Sequence, residues 1–186
     1  MPPNHDRRPP MDATLETADL RLVPYAPEHL LALMAGTDEF EARFGMPVAP
    51  GLREYLDADE VSPEWLARLR SATAADLWDH GFAIVHRAAH CVIGSAGFKG
   101  PPDEEGMIEI GYGIAPPFQG RGYATQAVAA LIGFASADGR VRLIRAHTLP
   151  EENASTRVLT KCGFQFIGAV HDPQDGQVWR WERAAT

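Results

Sequence analysis

The chain has 186 residues, 45% of them apolar, and a formal net charge of −8. That length allows one sizeable core and one domain. The acidic balance disfavours a nucleic-acid partner and suits a cationic acceptor such as an amine, and no run approaches the roughly 20 apolar residues of a membrane span.

Residues 1–10 carry four prolines and no apolar period, so 1–12 reads as a flexible tail and 13–186 as a single domain. Alternation through Leu20, Leu22 and Pro24 predicts a first strand, and Pro27 opens a helix carrying Leu30, Leu31, Leu33 and Met34. Residues 38–44 form a second helical region. Ser62 followed by Pro63 marks the start of another helix, with Trp65, Leu66 and Leu69 on its apolar face. Residues 82–86 and 92–98 read as a hairpin, and after a Pro101, Pro102, Asp103, Gly106 turn a strand follows at 107–114. A helix at 122–137, a strand at 143–148, a helix at 154–162 and two strands at 164–170 and 178–181 complete the order. The pattern is that of an α/β protein with a mixed sheet and helices on its faces. The two cysteines, Cys91 and Cys162, form no disulfide framework, and the first residues lack a signal-peptide apolar core, so a reducing, cytoplasmic location is expected.

In the strand at 107–114, Ile108, Ile110, Tyr112 and Ile114 share one face, while Glu109, Gly111 and Gly113 share the other. A carboxylate beside two glycines marks either close approach by a ligand or a bend in the sheet. Next come Gln119, Gly120, Arg121, Gly122, Tyr123, Ala124 and Thr125, opening a helix whose apolar side carries Ala127, Val128, Leu131, Phe134 and Ala135. The first helical turn has unpaired N–H groups and the positive dipole end, glycines let an anion reach them, and Arg121 adds a guanidinium. Such a turn is an anion site or simply a glycine-rich helix entry. No Gly-Lys-Ser/Thr ending makes it a Walker loop, and Pro116 and Pro117 interrupt any dinucleotide fingerprint.

Gln119, two residues, Gly122, one residue, Ala124 resembles motif A of the GNAT acetyltransferases. Glu109 to Tyr112 with Ala124 and Thr125 resembles the branch that acetylates ribosomal-protein N-termini, the RimJ and RimL type. Asn153, Ser155, Arg157, Val158, Leu159, Lys161, Gly163 and Phe164 resemble the family's next helix and strand. The resemblance implies a six- or seven-stranded, mostly antiparallel sheet, with its fourth and fifth strands splayed around acetyl-CoA and helices on both faces. It implies transfer of acetyl from acetyl-CoA to a primary amine, by direct attack in a ternary complex. The acceptor would be a peptide N-terminus or a small molecule, the protein a monomer or homodimer, with no metal, nucleic acid or membrane partner.

Carried onto this chain, Gln119, Gly120, Arg121, Gly122, Tyr123, Ala124 and Thr125 would bind the pyrophosphate, and Ile114, Asn153 and Lys161 other parts of the coenzyme. Glu109 would be the base and Ser155 the proton donor to the thiolate, with Thr156 as alternative donor and helix capping as Ser155's other role. Many GNAT enzymes have a tyrosine where Leu159 stands, which motivates a second hypothesis, a non-catalytic acyl-CoA-binding module. The histidines show no metal spacing, and His86 and His90 read as solvated hairpin residues. Cys162 reads as packing, Trp65, Trp78, Phe40 and Phe44 as core packing or, alternatively, as walls of the acceptor site, and Trp179 and Trp181 as neighbours on one side of the last strand.

Overall fold

A computed structural model describes residues 13–55, 61–173 and 175–185. The expected tail, residues 1–12, lies outside the described residues. The strands β1 (Leu15–Glu16), β2 (Leu20–Pro24), β3 (Phe82–His86), β4 (Cys91–Phe98), β5 (Met107–Ile114), β6 (Leu143–Thr148), β7 (Gln165–Asp172) and β8 (Gly176–Ala184) form one sheet in the order β1-β2-β3-β4-β5-β6-β8-β7. Eight strands replace the expected six or seven. The addition is β1, whose two residues pair with Arg21 and Leu22 and are too few to show alternation. The helices are α1 (Pro27–Ala35), α2 (Thr37–Phe44), α3 (Leu52–Tyr55), α4 (Pro63–Ser71), α5 (Tyr123–Ala137) and α6 (Ala154–Lys161). The four-residue α3 also escaped the sequence pattern, being barely one turn long.

The α/β mixed sheet, mostly antiparallel with helices on both faces, matches the expectation. Helix α5 covers one face: Ala127, Val128, Leu131, Phe134 and Ala135 are buried, and the Phe134 ring packs against Phe82, Phe98 and Trp78. Burying each large apolar side chain contributes about 1.5–3 kcal/mol. By alternation Tyr25, just past β2, lies toward the opposite face, where it meets Phe40 and Phe44 of α2. Phe40 and Trp78 are buried, Phe44 stacks on Phe40, and the Trp65 indole N–H donates to the Asp79 carbonyl, so these aromatics pack as expected. Trp179 and Trp181 both contact Phe166, also as expected.

One parallel ladder interrupts the sheet. Strands β5 and β6 pair only at Met107 with Leu143, Ile108 with Ile144 and Glu109 with Arg145. Beyond that point β5 continues against β4 as far as Ile114, and β6 continues against β8 as far as Thr148. The two strands therefore part immediately after Glu109, which is the splay expected between the fourth and fifth strands. Across β4 and β5 the chains pass so closely that a Cβ on Gly94 would collide with the Gly113 carbonyl, so the glycines of this region serve both sheet packing and the cleft.

Candidate active site

The mouth of the splay opens into a cleft of about 340 Å³ lined by Ile114, Gln119, Gly120, Gly122, Tyr123, Ala124 and Thr125 on one side and Ser155, Arg157 and Lys161 on the other. After β5, Pro116–Phe118 forms a 3₁₀ turn, and Gly122 caps α5 at φ 83°, in the left-handed region. Gly120 shares that conformation at φ 73°, and a Cβ on either glycine would meet nothing within 4 Å. The glycines therefore leave open space in front of the helix end. No backbone or side-chain acceptor among the described residues takes the amides from Gly120 to Thr125; the first paired amide is that of Gln126, which donates to the Gly122 carbonyl. An acidic residue is also absent from the first turn of α5, so the positive helix end is not neutralised locally. This arrangement fits a pyrophosphate.

The structure redistributes several expected roles within the turn. Gln119 lines the cleft, but its amide donates to the Pro116 carbonyl and its side chain to the Ile114 carbonyl at 2.8 Å. It ties the turn to β5, and the unspent amides begin at Gly120. Ile114 has its carbonyl taken by that bond and its side chain buried in the core. Arg121 stands at the rim, with its guanidinium 5.7 Å from the Phe118 ring centroid. His86 is not a solvated hairpin residue. Its Nδ1 accepts from the Ala89 amide, so its proton is on Nε2, which donates to the Tyr123 hydroxyl at 2.8 Å and fixes that ring beside the turn. The position of His86 on the α5-facing side of β3 brings it there, which no spacing rule reveals.

On α6, Asn153 is the N-cap. Its side chain accepts from the Thr156 amide at 3.1 Å, and the Thr156 hydroxyl accepts from the Asn153 amide. The Asn153 Oδ1 is thus committed to the helix while its Nδ2 has no partner among the described residues, and capping is not the role of Ser155. Thr156 is buried and committed to the same box, which removes it as a proton donor. Leu159 is 0% exposed, part of the core. Ser155 is half-buried, its hydroxyl has no partner among the described residues, and it lines both the cleft and the gap beyond it. Cys162 offers its thiol to the Thr125 carbonyl at 3.8 Å, and burial pushes that thiol up against the opposing pull of Arg183, consistent with packing.

The gap between β5 and β6 joins the cleft to the opposite side of the sheet. Its walls include Lys99, Glu109, Gly111, Tyr112, His147 and Ser155, and a further hollow of about 400 Å³ over Ser95, Gly97, Lys99, Gly111 and Gly113 adjoins it. Tyr112 borders all three spaces, and its hydroxyl donates to the Ser155 carbonyl at 3.4 Å, spanning the splay. Glu109, with its side chain 17% exposed, has Oε1 2.6 Å from Lys99 Nζ and 3.1 Å from His147 Nδ1. Burial pulls the Lys99 ammonium down, but the hydrogen bond and charge of Glu109, with Asp175 and Asp172 beyond, outweigh it and hold Lys99 above its ordinary range. Lys99, His147 and Phe118 were not singled out from the sequence, and Arg157 was named there only as part of the helix that carries the resemblance. For His147 a signal exists: it alternates with Arg145 on a strand whose other side carries Ile144, Ala146 and Thr148, all buried.

The geometry is that of an anion cradle on one side of a sheet opening and a carboxylate on the other. The sequence model of the family described as "Acetyltransferase (GNAT) domain" matches residues 19–165. An uncharacterized N-acetyltransferase of Bacillus subtilis, YjdG, is 31% identical over 111 residues, 60% of this chain and 64% of that protein. The uncharacterized N-acetyltransferase p20 of Bacillus licheniformis is 33% identical over 49% of this chain and 51% of its own length, so less than two thirds of either relative is spanned. Among solved structures, the ribosomal-protein-S5-alanine acetyltransferase of Vibrio fischeri superposes with a TM-score of 0.65 at 17% identity, covering 94% of this chain and 97% of that one. Mycobacterium smegmatis RimJ, in complex with CoA-disulfide, gives 0.64 at 18% identity over 96% and 90%. At such identities these structures share the fold. With that family's sequence pattern running through residues 19–165, most of its length, this chain belongs to the GNAT acetyltransferase family.

Proposed function

We propose that this protein transfers an acetyl group from acetyl-CoA to a primary amine, by direct attack in a ternary complex. The observation that carries the reading is the run of unspent amides from Gly120 to Thr125, facing a splay that continues to Glu109. In this reading Gly120 to Thr125 hold the pyrophosphate, Arg121, Arg157 and Lys161 supply charge around it, and the thioester of acetyl-CoA supplies the acetyl group. Glu109 takes the proton of the acceptor amine, directly or through water, and Ser155 returns one to the departing thiolate. The proton-accepting atom is Glu109 Oε2, which has no partner among the described residues, whereas Oε1 is held by Lys99 and His147.

The same pairing bears on the acceptor. The Lys99 ammonium beside the gap opposes a polycationic substrate. At pH 7 about a tenth of an α-amine is already unprotonated, against roughly one part in a few thousand for a lysine amine. The α-amine of a protein N-terminus is therefore the acceptor class we favour, and the fold shared with a ribosomal-protein acetyltransferase supports it.

Thiol release from acetyl-CoA, measured over peptides, amino acids, polyamines and aminoglycosides, tests this reading. Peptide α-amines should give acceptor-dependent release, and Glu109→Gln should lower kcat by about 10²–10⁴-fold with little effect on acetyl-CoA affinity. The buried Leu159, where many family members carry a tyrosine, favours the other reading, a non-catalytic acyl-CoA-binding module. Tight CoA binding without release for any amine would establish that one instead.

A further inference from the structure

Glu109 is held by side chains for which acetyl transfer by Glu109 and Ser155 has no use. Strand β6 is unpaired toward β5 beyond Arg145, so the next residue on that face, His147, turns into the gap with its side chain 9% exposed. Its Nδ1 lies 3.1 Å from Glu109 Oε1. Across the other ladder His147 pairs with Arg180, whose Nε donates to His147 Nε2 at 3.3 Å. Arginine always carries that proton, so Nε2 is the acceptor and the ring proton sits on Nδ1, where it is donated to Glu109. The groups around the imidazole come from every neighbouring strand: Lys99 just past β4, Glu109 of β5, Arg145 on its own strand, and Arg180 and Glu182 of β8, with Arg145 and Glu182 paired to each other at 2.7 Å. Asp175 lies beyond, on the wall of the gap.

We infer that His147 is a positioning residue, a neutral imidazole locked by Arg180 as the Nδ1–H tautomer, which with Lys99 fixes Oε1 of Glu109 and so turns Oε2 toward the acceptor amine. This inference rests on the acetyl-transfer reading. No proton passes through the ring: Nε2 is blocked by a donor that cannot release its hydrogen, and the Nδ1 proton stays on its nitrogen while Oε2 receives the proton of the amine.

Two measurements on the full-length protein test it. In long-range ¹H–¹⁵N spectra, with His147 assigned by its loss in His147→Asn, the proton should be on Nδ1 and Nε2 should be bare at neutral pH; a proton on Nε2, or on both nitrogens, overturns the proposal. In steady-state assays His147→Ala should lower kcat by up to roughly 10²-fold, the cost of about 1 Å of misplacement, with the KM for acetyl-CoA held within about twofold. His147→Asn keeps an N–H donor near the place of Nδ1 and should recover most of that loss. Wild-type kcat in the alanine variant, or no recovery in an asparagine variant that melts like wild type, overturns it. If the wild type acetylates no amine, the acetyl-transfer reading fails, while the ring tautomer still decides whether His147 holds Glu109.

Discussion

At the scale of single residues, the site depends on where hydrogen bonds are absent as much as on where they form. Gly122 is the clearest case. Its φ of 83° starts α5 in a way that leaves the neighbouring amides facing open space, and a side chain there costs about 1–2 kcal/mol of backbone strain. Gly122→Ala should therefore weaken CoA binding by roughly tenfold, 1.4 kcal/mol in free energy, by calorimetric titration. An unchanged Kd would mean that the pyrophosphate is held elsewhere. Glu109 was legible in the sequence as a carboxylate on a glycine face. Its ties to Lys99 and His147 were not, because they join residues 10 and 38 positions apart, and strand alternation gives a side chain's face but not its neighbour on the next strand.

At the scale of elements, helix starts and strand partings position the chemistry. Helix α5 begins without a side-chain cap, which suits an anion, whereas α6 begins with the full Asn153–Thr156 box. The two helices flank one cleft with opposite solutions to the same problem of unpaired amides. Asn153→Ala should cost about 1 kcal/mol of stability, a fall in Tm of about 2–4 °C for a domain of this size, with Ser155 displaced and kcat reduced. An unaltered Tm would show that the box contributes nothing. The motif resemblance had given Asn153 to the coenzyme. The capping pattern of an Asn followed three residues later by a Thr was present in the sequence, and capping engages Oδ1, which leaves Nδ2 as the donor for that contact.

At the scale of the molecule, a protein of net charge −8 places Arg157 and Lys161 on the wall of its cleft and Arg121 at its edge. Local cations in an acidic protein draw a polyanionic ligand only within about a Debye length, near 10 Å at 0.1 M salt. Removing both side chains in Arg157→Ala/Lys161→Ala should weaken CoA binding about 5–30-fold, at roughly 0.5–1 kcal/mol each, and should flatten its salt dependence; a salt slope equal to the wild type would exclude them from phosphate contact. The order of the longer strands and helices, the α5 core face, the glycine-rich turn before it and the family were all legible in the sequence, because periodicity and helix-entry chemistry are local. The eighth strand, the rescue of His86 from solvent, the commitment of Asn153 to its helix and the Lys99–Glu109–His147–Arg180 chain were decided only by the tertiary structure. They depend on where two strands cease to pair, which follows from the packing of the whole sheet and from no single stretch of it.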